Sequence, residues 1–378
     1  MRKHLAALGL AVAVAAACEP NRNITDPDAS LLARAERDDD DRGPRAVYTI
    51  TNQVSGNAVA VFARAADGTL TPAGTFATGG TGTGAGLGSQ GAVTVSNDGR
   101  LVFAVNAGSN DVSVLRVGST GLSLLSRTPS GGTLPTSITV YQNVVYVLNA
   151  GGAGNITGFT LRNDGGLTPI AGSTKSLSGS ATDPAQVSFS PDGRQLAVTE
   201  KATNLIDVYP VAQDGVAGER ESFPSAGGTP FGFAFGPRKL LFVSEAAAPG
   251  SASSYVLNRS GNLRLVSGVV ATHQGAPCWA VVTADGRFGY TGNGAGSVSG
   301  FNIRPNGEVR LFADNGATAV IAGGVNDIAL SANSRFLYAL KTGGAQEIHA
   351  FRIQNDGSLT ALGPVGGLPA GTRGLAAF

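Results

Sequence analysis

The chain has 378 residues, 55 of them Gly, with only 14% charged residues and a formal charge of +1. Its 42% apolar share suffices for a folded core and excludes a chain disordered throughout. The near-neutral balance excludes a nucleic-acid binder that works by bulk charge, and a single Met amid abundant Gly, Val, Ser and Thr argues against a helical bundle.

The first 18 residues read as an export signal. Arg2, Lys3 and His4 precede an apolar run from Leu5 to Ala17, which is too short for a comfortable membrane span and has the length of a signal core. The run ends Ala15-Ala16-Ala17-Cys18. Small residues before a Cys resemble the site where bacterial lipoproteins are cleaved and acylated, so Cys18 is the expected lipid attachment point. Plain secretion with Cys18 discarded is the alternative. Glu19 is not the Asp associated with inner-membrane retention, which favours the outer membrane. Residues 19–44 lack apolar periodicity, carry four consecutive acids from Asp38 to Asp41, and read as a disordered tether. No later apolar stretch approaches 18 residues, so membrane contact is expected only through the N-terminal lipid.

From residue 45 the chain repeats itself. Ser96-Asn97-Asp98-Gly99-Arg100 precedes an apolar run, as do Ser190-Pro191-Asp192-Gly193-Arg194, Thr283-Ala284-Asp285-Gly286-Arg287 and Ser331-Ala332-Asn333-Ser334-Arg335. Each is a tight turn between two strands, with Gly accepting the positive φ of a hairpin. A second set of turns falls at Asp67-Gly68, Thr120-Gly121, Asp164-Gly165, Asp214-Gly215, Ser260-Gly261, Asn306-Gly307 and Asp356-Gly357. These seven copies, about 48 residues apart with four strands each, predict an all-β fold over residues 45–378: a seven-bladed β-propeller of four-stranded antiparallel blades. The body opens on a second-strand sequence at Val47. The terminal Gly374-Leu375-Ala376-Ala377-Phe378 resembles the inner-strand sequence Asp327-Ile328-Ala329-Leu330, so the C-terminal strand is expected to complete the first blade and close the ring.

Both turn sets fall on one face, while the second-to-third-strand loops and the blade connections fall on the other. The loop face would gather Asn52, Gln90, Asn106, Asn149, Gln186, Glu200, Lys201, Glu245, His273, Gln274, Asn326, Lys341 and Arg373 around a channel mouth. Amides suit hydroxyl-rich or carbonyl ligands. Glu200, Glu245 and His273 are the titratable candidates for acid–base work, each weighed against a plain loop role. Gln90, Gln186, Glu200, Lys201, His273, Asn326, Lys341 and Arg373 are therefore candidate ligand contacts, and Glu245 the candidate catalytic group. His349, inside a third strand, reads as structural, and Cys278 as a small buried hydrophobe. The run from Gly79 to Gly88 resembles a phosphate loop but precedes a strand with no helix after it, so it reads as a blade linker. Two His in the body and no close Cys–His spacing support no metal site, and no cofactor is expected.

The Ser-Pro-Asp-Gly-Arg turns, each followed by a strand and a loop like Val105-Asn106-Ala107-Gly108-Ser109, resemble the seven-bladed lactonase family. That family includes propeller-type 6-phosphogluconolactonases and carboxymuconate cyclases, among YVTN-repeat proteins. The resemblance implies an acid at the Glu245 position, retained here as Ser244-Glu245. It also implies a His-containing segment where this chain has Asp183-Pro184-Ala185-Gln186, and basic residues where it has Gly228-Thr229-Pro230-Phe231-Gly232. The leading expectation is an exported propeller that binds a polar small molecule or an envelope protein. A lactone hydrolase or cyclase using Glu245, with Lys341 or Arg373 holding the developing charge, is the alternative. Whether the chain is an enzyme stays open, as does a metal in the channel as a remote third reading.

Overall fold

The computed structural model describes residues 45–378; the export signal, Cys18 and the tether lie outside the described residues. Seven antiparallel sheets follow one another around an axis. Blade 1 holds β1 (Ala46–Ile50), β2 (Ala58–Arg64) and β3 (Leu70–Ala77). Blade 2 runs β4 (Val93–Val95), β5 (Leu101–Asn106), β6 (Asp111–Gly118) and β7 (Gly121–Pro129). Blade 3 has β8 (Pro135–Tyr141), β9 (Val144–Asn149), β10 (Asn155–Leu161), β11 (Leu167–Pro169) and β12 (Lys175–Ser176). Blade 4 has β13 (Pro184–Phe189), β14 (Gln195–Glu200), β15 (Leu205–Pro210) and β16 (Glu221–Pro224). Blade 5 has β17 (Pro230–Phe235), β18 (Leu240–Glu245), β19 (Ser251–Leu257) and β20 (Leu263–Ala271). Blade 6 has β21 (Pro277–Val282), β22 (Phe288–Asn293), β23 (Ser297–Ile303), β24 (Val309–Leu311) and β25 (Ala319–Val320). Blade 7 has β26 (Val325–Leu330), β27 (Phe336–Lys341), β28 (Gln346–Ile353) and β29 (Leu359–Leu368).

Four strands per blade were expected; in blades 3 and 6 the outermost is split, so β11 and β12 both pair with β10, and β24 and β25 both pair with β23. In blade 3 the break begins at Pro169, which has no N–H to continue the ladder. Along the second strands β14, β18 and β22 every residue is buried, because neighbouring blades cover both sheet faces. That explains apolar runs without strict alternation.

The ring closes as the sequence predicts. The last strand, β30 (Arg373–Ala377), pairs antiparallel with β1, Val47 opposite Ala377. Phe378 N–H donates to Ala46 O at 2.9 Å, Arg64 Nη2 donates to Phe378 O at 3.4 Å, and Thr49 Oγ1 donates to Arg373 O at 3.1 Å. Leu375 N–H donates to Asp327 Oδ2 of blade 7 at 2.9 Å, tying the closing strand to its other neighbour.

All seven Gly of the second turn set have φ between +84° and +119°. Six of them also pack tightly: a Cβ on Gly68 would sit 2.2 Å from the Phe336 ring of the neighbouring blade. Three of their carbonyls accept a clasping bond from a tyrosine of the preceding blade. Tyr146 Oη donates to Gly215 O at 2.7 Å, Tyr290 Oη to Gly357 O at 2.7 Å and Tyr338 Oη to Gly68 O at 3.1 Å. Tyr48 stands at the matching place in blade 1, yet its buried hydroxyl finds no partner, and the ring of Phe76 fills the approach to Gly121.

Blade 4 buries two carboxyl groups together. Glu200 and Asp207 are both fully buried and hydrogen-bonded to each other. Ser222 Oγ donates to Asp207 Oδ1 at 2.6 Å, and Arg220 Nε lies 3.5 Å from Asp207 Oδ2. Burial, reinforced by Glu200, pushes the Asp207 carboxyl up to about 8. Burial also raises Glu200, but its bonds from Asp207, Ser178 and Thr203 outweigh this and hold it below its usual range. The pair therefore shares one proton at neutral pH.

Two outcomes follow for unfolding experiments. Tyr290→Phe and Tyr338→Phe should each cost about 1 kcal/mol, whereas Tyr48→Phe should cost nothing or stabilise, because it removes an unpaired hydroxyl; equal losses at all three would contradict the clasp. For the acid pair, the folded chain holds a proton on Asp207 that the unfolded chain releases near 3.8, so stability falls as pH rises from there to about 8. Asp207→Asn carries the neutral form at every pH and should reduce that fall in thermal midpoint between pH 5 and 8.5; an unchanged slope would contradict the shared proton.

Candidate functional site

Inner strands have no partner on the axis side, so their edge N–H groups need other acceptors. One position recurs in each: Val93, Ile138, Val187, Phe233, Ala280, Ile328 and Leu375. In three blades the residue just before it serves the next blade. Ser137 Oγ accepts from Val187 N–H at 3.2 Å, Gln186 Oε1 from Phe233 N–H at 2.7 Å, and Asp327 Oδ2 from Leu375 N–H. In blade 5 that residue is Gly232 and offers nothing. Gln90, on the blade 1 to 2 linker, reaches across instead: its Oε1 accepts from Ala280 N–H at 2.9 Å and its Nε2 donates to Ala280 O at 2.8 Å. A Cβ on Gly232 would collide with Gln90 Oε1 at 2.0 Å, so the missing side chain makes room for the replacement.

Gln90 belongs to a roof. The linker of residues 78–92 crosses the loop-face end of the channel, as its Gly-rich composition permits: a Cβ on Gly82 would lie 2.2 Å from the Asn52 backbone. Asn52 Nδ2 donates to Ala85 O at 2.8 Å, Ser89 Oγ to Thr136 O at 2.8 Å, and Gln90 N–H to Ala185 O at 3.1 Å. Trp279 Nε1 donates to Ser89 O at 3.1 Å, and its ring meets Phe231 edge-on at 5.5 Å. Lys201 Nζ donates to Gly88 O at 2.5 Å, pairs with Asp183 at 3.1 Å, and sits 4.9 Å over the Phe231 ring. The linker reading of Gly79 to Gly88 stands, and the linker also covers the channel. Cys278 is buried in the same roof, where burial pushes its thiol up to about 12, so it is no nucleophile at neutral pH.

A second recurring position holds the titratable candidates. Asn106, Asn149, Glu200, Glu245, Asn293 and Lys341 each end the second strand of their blade. The first four clamp the linker that enters that blade. Asn106 Oδ1 accepts from Thr78 Oγ1 at 2.7 Å, and Asn149 Nδ2 donates to Ser130 O at 3.1 Å. Glu200 Oε1 accepts from Ser178 N–H at 2.9 Å. Glu245 Oε1 accepts from Gly227 N–H at 2.7 Å and from Ser225 Oγ at 3.2 Å, while its Oε2 accepts from Ser251 Oγ at 2.5 Å. Glu200 and Glu245 are 0% exposed, and both oxygens of each carboxylate are engaged.

The remaining candidates are scattered. His273 is exposed on the blade 5 to 6 linker at φ +55°, and Gln274 braces that linker against Asn315 and Ser297. Lys341 Nζ pairs with Glu347 at 3.2 Å. His349 stands 3.3 Å from the same Glu347. Asn326 is half-buried beside a bulge in β26. Arg373 Nη1 donates to Thr372 O at 2.7 Å while its buried Nε finds no partner, and burial lowers its pKa. The structure thus brings Gln90, Gln186 and Lys201 to the channel top and leaves the acids outside it. Sequence reasoning passed over Asp207 and Asp327. An acid inside the apolar strand Leu205-Ile206-Asp207-Val208-Tyr209 was the available signal for the first. Among the described residues no cluster of three or more His, Cys, Asp or Glu could hold a metal.

Residues 45–173 match the family model described as lactonase, 7-bladed beta-propeller. No curated protein matches the chain at a significant level. Among solved structures, a candidate 6-phosphogluconolactonase from Bacteroides fragilis is similar at 19% identity and a TM-score of 0.71, covering 88% of this chain and 97% of its own. The periplasmic gluconolactonase of Pseudomonas aeruginosa is similar at 18% identity and a TM-score of 0.68, covering 87% and 98%. A protein from Lactobacillus plantarum gives 18% identity and 0.70, covering 88% and 98%. At such identities the shared property is the fold. The fold expected from the Asp-Gly-type repeats is therefore met: the chain is a seven-bladed propeller whose residues 45–173 match the lactonase family model and whose fold is shared with these structures over most of its length.

Proposed function

We propose that this propeller is an exported, lipid-anchored protein of the bacterial envelope that binds a polar ligand or partner and does not hydrolyse lactones. One observation carries the reading. Glu245, the acid the family resemblance would make catalytic, occupies the position that Asn106 and Asn149 occupy in other blades, and like them it clamps a linker. A general base must reach a proton of the substrate or of an attacking water. Glu245 is sealed from solvent with both oxygens taken by Ser225, Gly227 and Ser251. Gln186 and Phe231 stand where the resemblance implies basic residues, and both serve the channel wall and roof.

The rival reading is a lactone hydrolase using Glu245. It draws support from the names of similar structures, a candidate 6-phosphogluconolactonase and a gluconolactonase. The second of these is called periplasmic, which agrees with export. Anchoring rests on the Ala15-Ala16-Ala17-Cys18 sequence.

A panel of sugar and aromatic lactones tests the proposal. Purified protein is expected to leave their hydrolysis at the spontaneous rate. Glu245→Gln should fold within about 1 kcal/mol of the parent, because an amide can still accept from Gly227, while Glu245→Ala should lose about 2–3 kcal/mol by leaving buried donors unpaired. Turnover that disappears in Glu245→Gln would overturn the binding reading. Labelled fatty acid should be incorporated in cells and lost in Cys18→Ser; labelling unchanged by that substitution would overturn the anchor.

A further inference from the structure

Under the roof a cavity of about 460 Å³ runs along the ring axis. Gln90 and Gln186 bound it above, and Ser96, Asn97, Ala332 and Phe378 line it beside the turns of the opposite face. The roof bonds of Gln90, Trp279 and Lys201 close the loop-face end, so a ligand reaches the cavity from the turn face. The sequence places recognition on the other face, where loops vary most.

The walls carry no Asp, Glu, His, Lys or Arg side chain. Arg64, outside this lining, donates to Phe378 O at 3.4 Å. An anion entering here would lose hydration with no cation to replace it. Aliphatic groups such as Val281 and Ile328 alternate with the hydroxyls of Thr94 and Ser188. Main-chain groups add more. Ala92 O and Phe378 N–H bond within their own sheets, so by the period of two Val93, Val95 and Ala377 turn N–H and C=O toward the axis. At Val93 the preceding blade offers only Gly374, which has no side chain to accept its N–H. Hydroxyl groups, which donate and accept at once, match such an edge.

We propose that this cavity binds a neutral, hydroxyl-rich ring molecule, of the size of a mono- or disaccharide, that enters from the turn face. The proposal rests on the binding reading above and adds its site and ligand class. Glucose, maltose and myo-inositol serve as neutral probes, with gluconate and glucose 6-phosphate as anionic ones, and saturation-transfer NMR with calorimetry as the readout. Saturable binding of at least one neutral probe is expected, at least tenfold tighter than its anionic counterpart. Ser188→Trp and Val281→Trp, which fill the cavity, should each weaken it at least tenfold, while Val54→Trp on the loop face should leave it within twofold. Thermal unfolding identifies any variant that fails to fold, and either cavity variant suffices. Absence of neutral binding, preference for the anions, or binding that survives a folded cavity variant would overturn the proposal. Lactone turnover would instead overturn the binding reading, so the two failures are distinguishable.

Discussion

Inner strands without partners are the constraint from which the rest follows. Seven sheets around one axis leave seven strand edges facing inward, and each buried N–H there needs an acceptor. In three blades a side chain meets the need, with Ser137, Gln186 and Asp327 serving the next strand. Where Gly232 breaks the series, Gln90 supplies the acceptor from across the channel. That reach draws residues 78–92 over the axis and seals the loop-face end. A packing requirement of the strands thus decides which end of the channel stays open.

The same economy accounts for polar residues that look like chemistry in the sequence. A propeller blade must fix the linker that enters it, and the last residue of the second strand is placed to do so. Amide and carboxylate perform that task interchangeably at Asn106, Asn149, Glu200 and Glu245. An acid at one of these positions is a weak sign of catalysis unless one of its oxygens is left free. The Glu200–Asp207 pair shows the cost of two acids in one blade: they share a proton, held there by burial.

The architecture was legible because it is written in turns. Gly68, Gly165 and Gly357 need positive φ and admit no Cβ, so the turns repeat while the strand sequences differ. Ring closure was legible from the likeness of the Leu375 and Ile328 segments. The candidate site was less so. Nothing local to Gln90 tells that its partner is Ala280, 190 residues away. Nothing local to Glu245 tells that Gly227 and Ser251 will use both its oxygens. Such partners are set by which blades face each other, and periodicity gives the blade count without giving the contacts across the axis. The splits in β11/β12 and β24/β25 were missed although Pro169-Ile170-Ala171-Gly172 and Asp314-Asn315-Gly316 carry turn residues at the breaks.

The central claim is that the loop-face end of the channel is sealed, and the indole of Trp279 reports on it directly. This ring, the single Trp of the chain, is 5% exposed and donates its Nε1–H to Ser89 O of the roof. In the native protein acrylamide should quench its fluorescence at least tenfold less efficiently than in the unfolded chain. Quenching as efficient as in the unfolded chain, without loss of folded signal, would contradict the account.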